Sequence, residues 1–290
     1  MIRIFLFLLT NFSIIILLFI LSALFGLHNR SLLYIICSTI ITGFTGSIIS
    51  LLLSKKIALF TVGGKIITEP KNELEEWVLK IIKKQSLRLN ISNPEFAIYD
   101  SESVNAFATG YSKNSSLIAI SSMLLKNMNK KEIEAIIAHE MSHISNGDMV
   151  TMTLIQGVLN TFTIFLSRGI AYIICNIFLK SDTTSNKNKT DYVILTFILE
   201  LIFGIAASCI TMWFSRKREF YADASAAKLS STKNMISALK SLQNYTDLSN
   251  EPKNVHALCI NGKINSFLDL FSTHPPINVR IQALNKKKYM

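Results

Sequence analysis

Apolar residues gather along this chain into four long runs divided by polar stretches, a pattern that predicts helices crossing a membrane rather than the core of a soluble globule. The first, Ile4 to Phe25, is nearly unbroken. At about 1.5 Å per residue it covers the roughly 30 Å of a hydrocarbon core. Ser22-Ala23-Leu24-Phe25-Gly26 is a poor cleavage site, so the run is expected to stay as an anchor and not to leave as a signal peptide. The second run, Leu32 to Leu53, follows the short turn Gly26 to Ser31, which predicts a helical hairpin. Gly43, Gly46 and Ser50 would let a neighbouring helix come close to it.

Lys55 and Lys56 open a polar region that lasts to Asp148, and two further runs follow, Met149 to Leu179 and Tyr192 to Phe214, expected as a second hairpin. Arg168 and Glu200 interrupt them. Charges in lipid are costly unless paired or hydrated, so the expectation is either an Arg168–Glu200 ion pair across the hairpin, or Arg168 reaching the interface while Glu200 faces a polar cavity. Lys55, Lys56 and Lys65 flank the second run and Arg216, Lys217 and Arg218 the fourth, against Arg30 alone in the first loop. The positive-inside rule then puts the N-terminus, residues 55–148 and residues 215–290 in the cytoplasm, with the lysines of the 180–191 loop a small dissent.

The polar regions carry their own periodicities. After Pro70, residues Leu74, Trp77, Val78, Ile81 and Ile82 recur at helical spacing. Glu95 to Tyr99, Ala106 to Tyr111 and Leu117 to Ile120 read as short strands, the last two joined by a turn over 112–115, so a small sheet is expected. Asn129-Lys130-Lys131-Glu132 has capping-box spacing and predicts a helix starting at Lys130.

That helix carries His139-Glu140-Met141-Ser142-His143, an HExxH pattern. Imidazoles four residues apart share one helix face and can bind one metal ion, while the glutamate between them reaches a water on that ion. Zinc is the expected metal; as isolated residues the same histidines would be ordinary core or surface groups. A catalytic zinc needs a third protein ligand, and Glu219, in Ser215 to Asp223 just past the fourth run, is the candidate. Asp223, one turn further, is placed to orient a ligand imidazole. The bland alternative is a solvated helix whose acidic residues sit beside a basic cluster. Because the third and fourth runs leave one membrane face and return to it, the two ligand-bearing segments are expected to meet near that surface.

Composition narrows the class. Half of the 290 residues are hydrophobic and mean hydropathy is +0.37, too apolar for an ordinary soluble enzyme. The formal charge of +11 comes from basic residues scattered beside apolar runs, which fits a membrane protein and argues against a nucleic-acid partner. Cys37, Cys175, Cys209 and Cys259 form neither a disulfide framework nor a CxxC pattern and are read as embedded thiols.

These residues resemble the HtpX family of bacterial membrane metalloproteases, related to the CAAX prenyl proteases. The likeness covers the two N-terminal spans, Asn105 to Gly110, His139 to Asp148, Ser215 to Asp223, and Thr273-His274-Pro275-Pro276 with Arg280. It implies a multi-span α-helical membrane protein carrying a cytoplasmic α+β zincin-like (gluzincin) protease domain. It also implies one Zn2+ held by His139, His143 and Glu219, and Glu140 as the catalytic residue. The expected activity is quality control of misfolded or damaged inner-membrane proteins, with a link to stress response.

In the mechanism these residues suggest, Glu140 takes a proton from metal-activated water and passes it to the leaving amine. His274, Tyr221 and Arg280 are candidates for stabilising the oxyanion; His274 is equally a helix-start residue and Arg280 an ion-pair partner of Asp223 or Glu219. Asn105 to Gly110 is a candidate edge strand for aligning a substrate backbone, or an ordinary core strand. The rival from another class is a membrane scaffold or transporter with a structural zinc. A prenyl-protein protease is disfavoured by four spans.

Overall fold

The computed structural model describes residues 32–175, 186–248 and 274–289. The run from Ile4 to Phe25, the 180–191 loop as far as residue 185, Thr273 and Cys259 lie outside them.

Eight helices and four strands are formed among the described residues. Helix α1 (Leu32–Val62) leads into β1 (Lys65–Ile66), α2 (Glu73–Leu89), β2 (Glu95–Tyr99), β3 (Ala106–Ser112) and β4 (Ser115–Ser121). Then follow α3 (Ser122–Asn127), α4 (Lys130–Asn146), α5 (Asp148–Ile173), α6 (Asn186–Leu229), α7 (Thr232–Leu248) and α8 (Ile277–Asn285). The sequence-based helix ends are exceeded twice. Helix α1 runs on to Val62, past the expected end at Leu53, because Leu59 and Val62 still find an apolar partner beneath the sheet. Helix α6 continues without a break through the fourth apolar run to Leu229, so Glu219 and Asp223 stand on the same helix as that run.

Contacts divide the chain into two compact units, one running up to Ile49 and from Thr153 to Thr211, the other from Ser50 to Met152 and from Met212 onwards. In the first unit, large apolar side chains such as Ile41, Ile48, Leu154, Val158, Phe162, Ile198, Leu201 and Ile205 face outward. Lipid is the solvent that tolerates such a surface. Three described helices are long and apolar enough to cross a membrane; the protein is an integral membrane protein. Gly43 meets the backbone of Thr161, and Gly157 meets the Phe44 ring at distances a Cβ would not allow, so α1 and α5 pack closely through small residues. Ser47 accepts a hydrogen bond from Asn160 at 3.4 Å, whereas Ser50 is exposed. Glu200 is buried and Arg168 half-buried, yet the ion pairs within 4.0 Å do not include Arg168 with Glu200 among the described residues; their charges act on each other at longer range.

The second unit is built on a sheet of order β1-β2-β4-β3. β2 and β4 are parallel, β1 and β3 antiparallel to their neighbours, and β3 forms one edge. Central β4 is buried on both faces, which explains its unbroken apolar run. Leu117 and Ala119 pack with Tyr99, Leu59 and Val62, while Ile118 and Ile120 face the core shared with α2, α4 and α7. Gly110 has φ 142°, and a Cβ there would strike the Ser115 carbonyl, so the bend at the bulge needs glycine. Asn129 caps α4 with the expected capping box, and Glu132 reaches on to accept from Ser237 and Ser241 at 2.6 and 2.9 Å, tying α4 to α7.

Candidate metal centre

Helix α4 carries His139, Glu140 and His143 on one face, the first two buried. His139 and His143, one turn apart, stand edge to face with ring centroids 4.7 Å apart and their Nε2 atoms 3.2 Å apart. Helix α6 brings Glu219 against both: Oε1 is 3.3 Å from His143 Nε2 and Oε2 is 3.5 Å from His139 Nε2. Side-chain donors of these three residues lie within 4.8 Å of one another. Four ligands placed tetrahedrally at about 2.0–2.1 Å from zinc stand roughly 3.3–3.4 Å apart; the two Nε2 atoms, at 3.2 Å, have about that spacing, and Glu219 sets one carboxylate oxygen against each of them, at 3.3 and 3.5 Å.

Each imidazole has a carboxylate on its far nitrogen. His143 Nδ1 donates to Asp148 Oδ2 at 2.6 Å. His139 Nδ1 lies 3.0 Å from Asp223 Oδ1, an ion-pair distance that falls off the hydrogen-bond direction. Sequence reasoning singled out Asp223 but not Asp148. The available signal was Gly147: it caps α4 in the left-handed conformation at φ 68°, ending one helix and starting the next at once, so Asp148 folds back against His143.

Arg280, from α8, grips two of the carboxylates. Its Nε and Nη2 donate to Asp223 at 2.8 and 2.6 Å, and Nη1 lies 3.1 Å from Glu219 Oε2. Of the roles weighed for it, the geometry is that of the ion-pair partner. His274 Nδ1 is 2.8 Å from Glu219 Oε2, with half of its side chain open to solvent. Tyr221 stands apart: two residues from Glu219 it points about 200° around the helix, where it is exposed and packs edge-on against Tyr289 at 5.2 Å. Glu140 is buried beside the donors, close enough for its charge to act on both His143 and Arg280. Asn105 lies just before edge strand β3, its carbonyl accepting from Ser121 N–H at 2.9 Å and from the Tyr99 hydroxyl at 3.3 Å.

The electrostatics call for a cation. Burial disfavours an imidazolium at His143, but the hydrogen bonds to Asp148 and Glu219 and the charges of Glu219 and Glu140 outweigh it and push its pKa up to about 10. His139 is raised too, burial being outweighed by Asp223 and Glu219. Burial also opposes the Arg280 charge, and Asp223 and Glu219 overcome it, holding Arg280 above its usual value. Two Nε2 atoms 3.2 Å apart leave room for one proton between them, and a divalent ion meets the same demand with better geometry. The donor set therefore fits a metal of the zinc type.

Comparison with known proteins agrees. The sequence profile of peptidase family M48 matches residues 71–288. Protease HtpX of Wigglesworthia glossinidia brevipalpis is 54% identical over 100% of this chain and 99% of that protein. Protease HtpX of Buchnera aphidicola subsp. Baizongia pistaciae is 52% identical, with 100% of both chains covered. Among solved structures, the crystal structure of S. mikatae Ste24p resembles this fold with a TM-score of 0.67 at 20% identity. The match covers 94% of this chain but only 62% of that one. With a profile match over most of its length and full-length relatives at about half identity, the chain belongs to peptidase family M48 and, within it, to the HtpX proteases, membrane-embedded metalloproteases.

Proposed function

We propose that this protein is a zinc endopeptidase of the bacterial inner membrane that cleaves misfolded or damaged membrane proteins, with its site facing the cytoplasm. The observation that carries the reading is the face made by His139 Nε2, His143 Nε2 and Glu219, with Glu140 buried beside it. These three residues would hold the ion. Zinc, when bound, supplies a Lewis acid that polarises a peptide carbonyl and acidifies water.

Glu140 is the general base: its carboxylate accepts a proton and then delivers it to the nitrogen of the leaving amine. Asp148 holds the Nδ1 proton of His143 and Asp223 stands at ion-pair distance from Nδ1 of His139, an arrangement that favours the proton on Nδ1 and leaves each Nε2 lone pair turned inward. Of the oxyanion candidates, His274 is the one supported, since it is near Glu219 and partly open to solvent, whereas Arg280 is committed to carboxylates and Tyr221 points elsewhere. The edge strand β3 after Asn105 suits an extended substrate added by backbone hydrogen bonds, a mode with little sequence preference. The basic flanks Lys55, Lys56, Arg216, Lys217 and Arg218 support the cytoplasmic orientation.

A structural-zinc scaffold is the alternative class. A structural site usually closes with four protein ligands, and the donor group among the described residues has three. The deciding experiment purifies wild type and Glu140→Gln in detergent and measures bound zinc and casein cleavage in both. Zinc in both with cleavage by wild type alone is expected. Zinc in both with cleavage by neither would favour the scaffold.

A further inference from the structure

The two imidazoles are held in parallel ways. His139 contacts Asp223, which Arg280 grips with two hydrogen bonds of 2.8 and 2.6 Å. His143 donates to Asp148 at 2.6 Å, and Asp148 in turn meets Arg218: Nη1 donates to its backbone carbonyl at 2.9 Å, and Nε stands 3.4 Å from the same Oδ2 that accepts from His143. Resting on the metal-site reading above, we propose that Arg218, acting through Asp148, is a positioning residue for His143, the counterpart of Arg280 acting through Asp223 on His139.

The need for it is physical. A ligand histidine must keep the proton on Nδ1 and the lone pair on Nε2, and a carboxylate at Nδ1 secures both only if the carboxylate itself stays put. Asp148 is buried. As the first residue of α5 it has that helix N-terminus as a favourable field, but a helix dipole does not fix a rotamer. Arg218 adds a directed constraint, a hydrogen bond to the aspartate main chain and an ion-pair contact at 3.4 Å to its side chain, from one guanidinium. It directly precedes Glu219, so a single turn of α6 delivers both a ligand and the clamp on the opposing ligand, which sets the register of α6 against α4. The charge inventory also closes: carboxylates Glu140, Asp148, Glu219 and Asp223 against guanidiniums Arg218 and Arg280 leave a net charge of about −2, the complement of one divalent ion.

The test is zinc affinity of the full-length protein in detergent, read by chelator competition, with the visible absorption of the cobalt(II)-loaded form as a reporter of ligand geometry. Asp148→Asn is expected to weaken binding by about 10–100-fold and to alter the cobalt spectrum. Arg218→Gln is expected to weaken it by about tenfold, and Arg218→Lys, which keeps the charge, to recover part of the loss. Because Arg218 works through Asp148, the double variant Asp148→Asn/Arg218→Gln should bind no more weakly than Asp148→Asn alone. Losses that multiply in the double variant overturn the proposal, as does wild-type affinity in Arg218→Gln accompanied only by a lower unfolding temperature. If Arg218→Gln does not fold, Arg218→Lys and the isosteric Asp148→Asn decide, and wild-type zinc affinity and cobalt spectrum in both overturn the proposal. Failure of the metal-site reading looks different: wild type and Glu140→Gln would both bind no zinc, or His139→Ala would bind it as wild type does.

Discussion

Replacing Arg280 with methionine removes every donor from a side chain of similar length and leaves two buried carboxylates facing each other. Asp223 is 1% and Glu219 3% exposed, and Arg280 itself 7%, so water does not take over the lost charge. Truncating one partner of a buried ion pair costs about 3–5 kcal/mol. An exposed pair would cost below about 1 kcal/mol. For a unit of this size about 1 kcal/mol moves the midpoint by roughly 2–4 °C, so the expected drop in unfolding temperature is about 6–20 °C. The assay is tryptophan fluorescence on heating the detergent-purified protein in a chelator, where no metal ion adds its charge beside Glu219. Zinc saturation should shrink the difference, because the ion restores positive charge beside Glu219, and Asp223→Asn in the same chain should recover part of the loss by removing one orphaned charge. A drop smaller than about 2 °C in chelator, or one unchanged by zinc, would refute the view that Arg280 neutralises these carboxylates.

Gly147→Ala forces a side chain into φ 68°, and since a Cβ there meets only the Lys113 side chain at 3.4 Å, the cost is conformational, about 1–2 kcal/mol; a chemical denaturation curve that does not shift would count against it. In the metal-free protein the raised His143 pKa stabilises the fold fully below the ordinary value of 6.5, and that contribution is lost as pH rises toward about 10. Zinc must displace the same proton, so its affinity should climb by about tenfold per pH unit for each proton released, measurable by calorimetry in two buffers; constant affinity from about pH 7 to 9 contradicts it. Gly157→Leu places a side chain where the Phe44 ring now sits and should separate α1 from α5. A cysteine pair engineered across that contact would then crosslink in wild type and not in the variant, and equal crosslinking would count against the close packing.

The amphipathic segment after Pro70, the three short strands and the helix beginning at Lys130 all appear where periodicity and capping chemistry put them. Each of these depends on neighbours within one or two turns, which is information a sequence carries locally. Helix ends were less legible. Nothing between residues 53 and 62 announces that Leu59 and Val62 will find Tyr99 and Leu117 beneath them, and the basic cluster 216–218 looks like an end of helix α6 but is an uninterrupted part of it.

The chemistry divides along the same line. His139, Glu140 and His143 lie within five residues on one helix face, so the sequence alone determined that two imidazoles share a turn with a carboxylate between them. Glu219 was found because its spacing to Asp223 repeats that logic on a second helix. Which carboxylate serves which imidazole was decided only by the packing of α4, α5, α6 and α8: Asp148 goes to His143, Asp223 to His139, and Arg218 and Arg280 to those aspartates. Tyr221 and His274 looked equivalent as candidates until α6 turned one ring toward Tyr289 and the turn before α8 brought the other to Glu219. Contacts between residues separated by 57 or 70 positions depend on where whole helices dock. Docking is set by the summed burial of many apolar side chains, and no short stretch of sequence contains that sum.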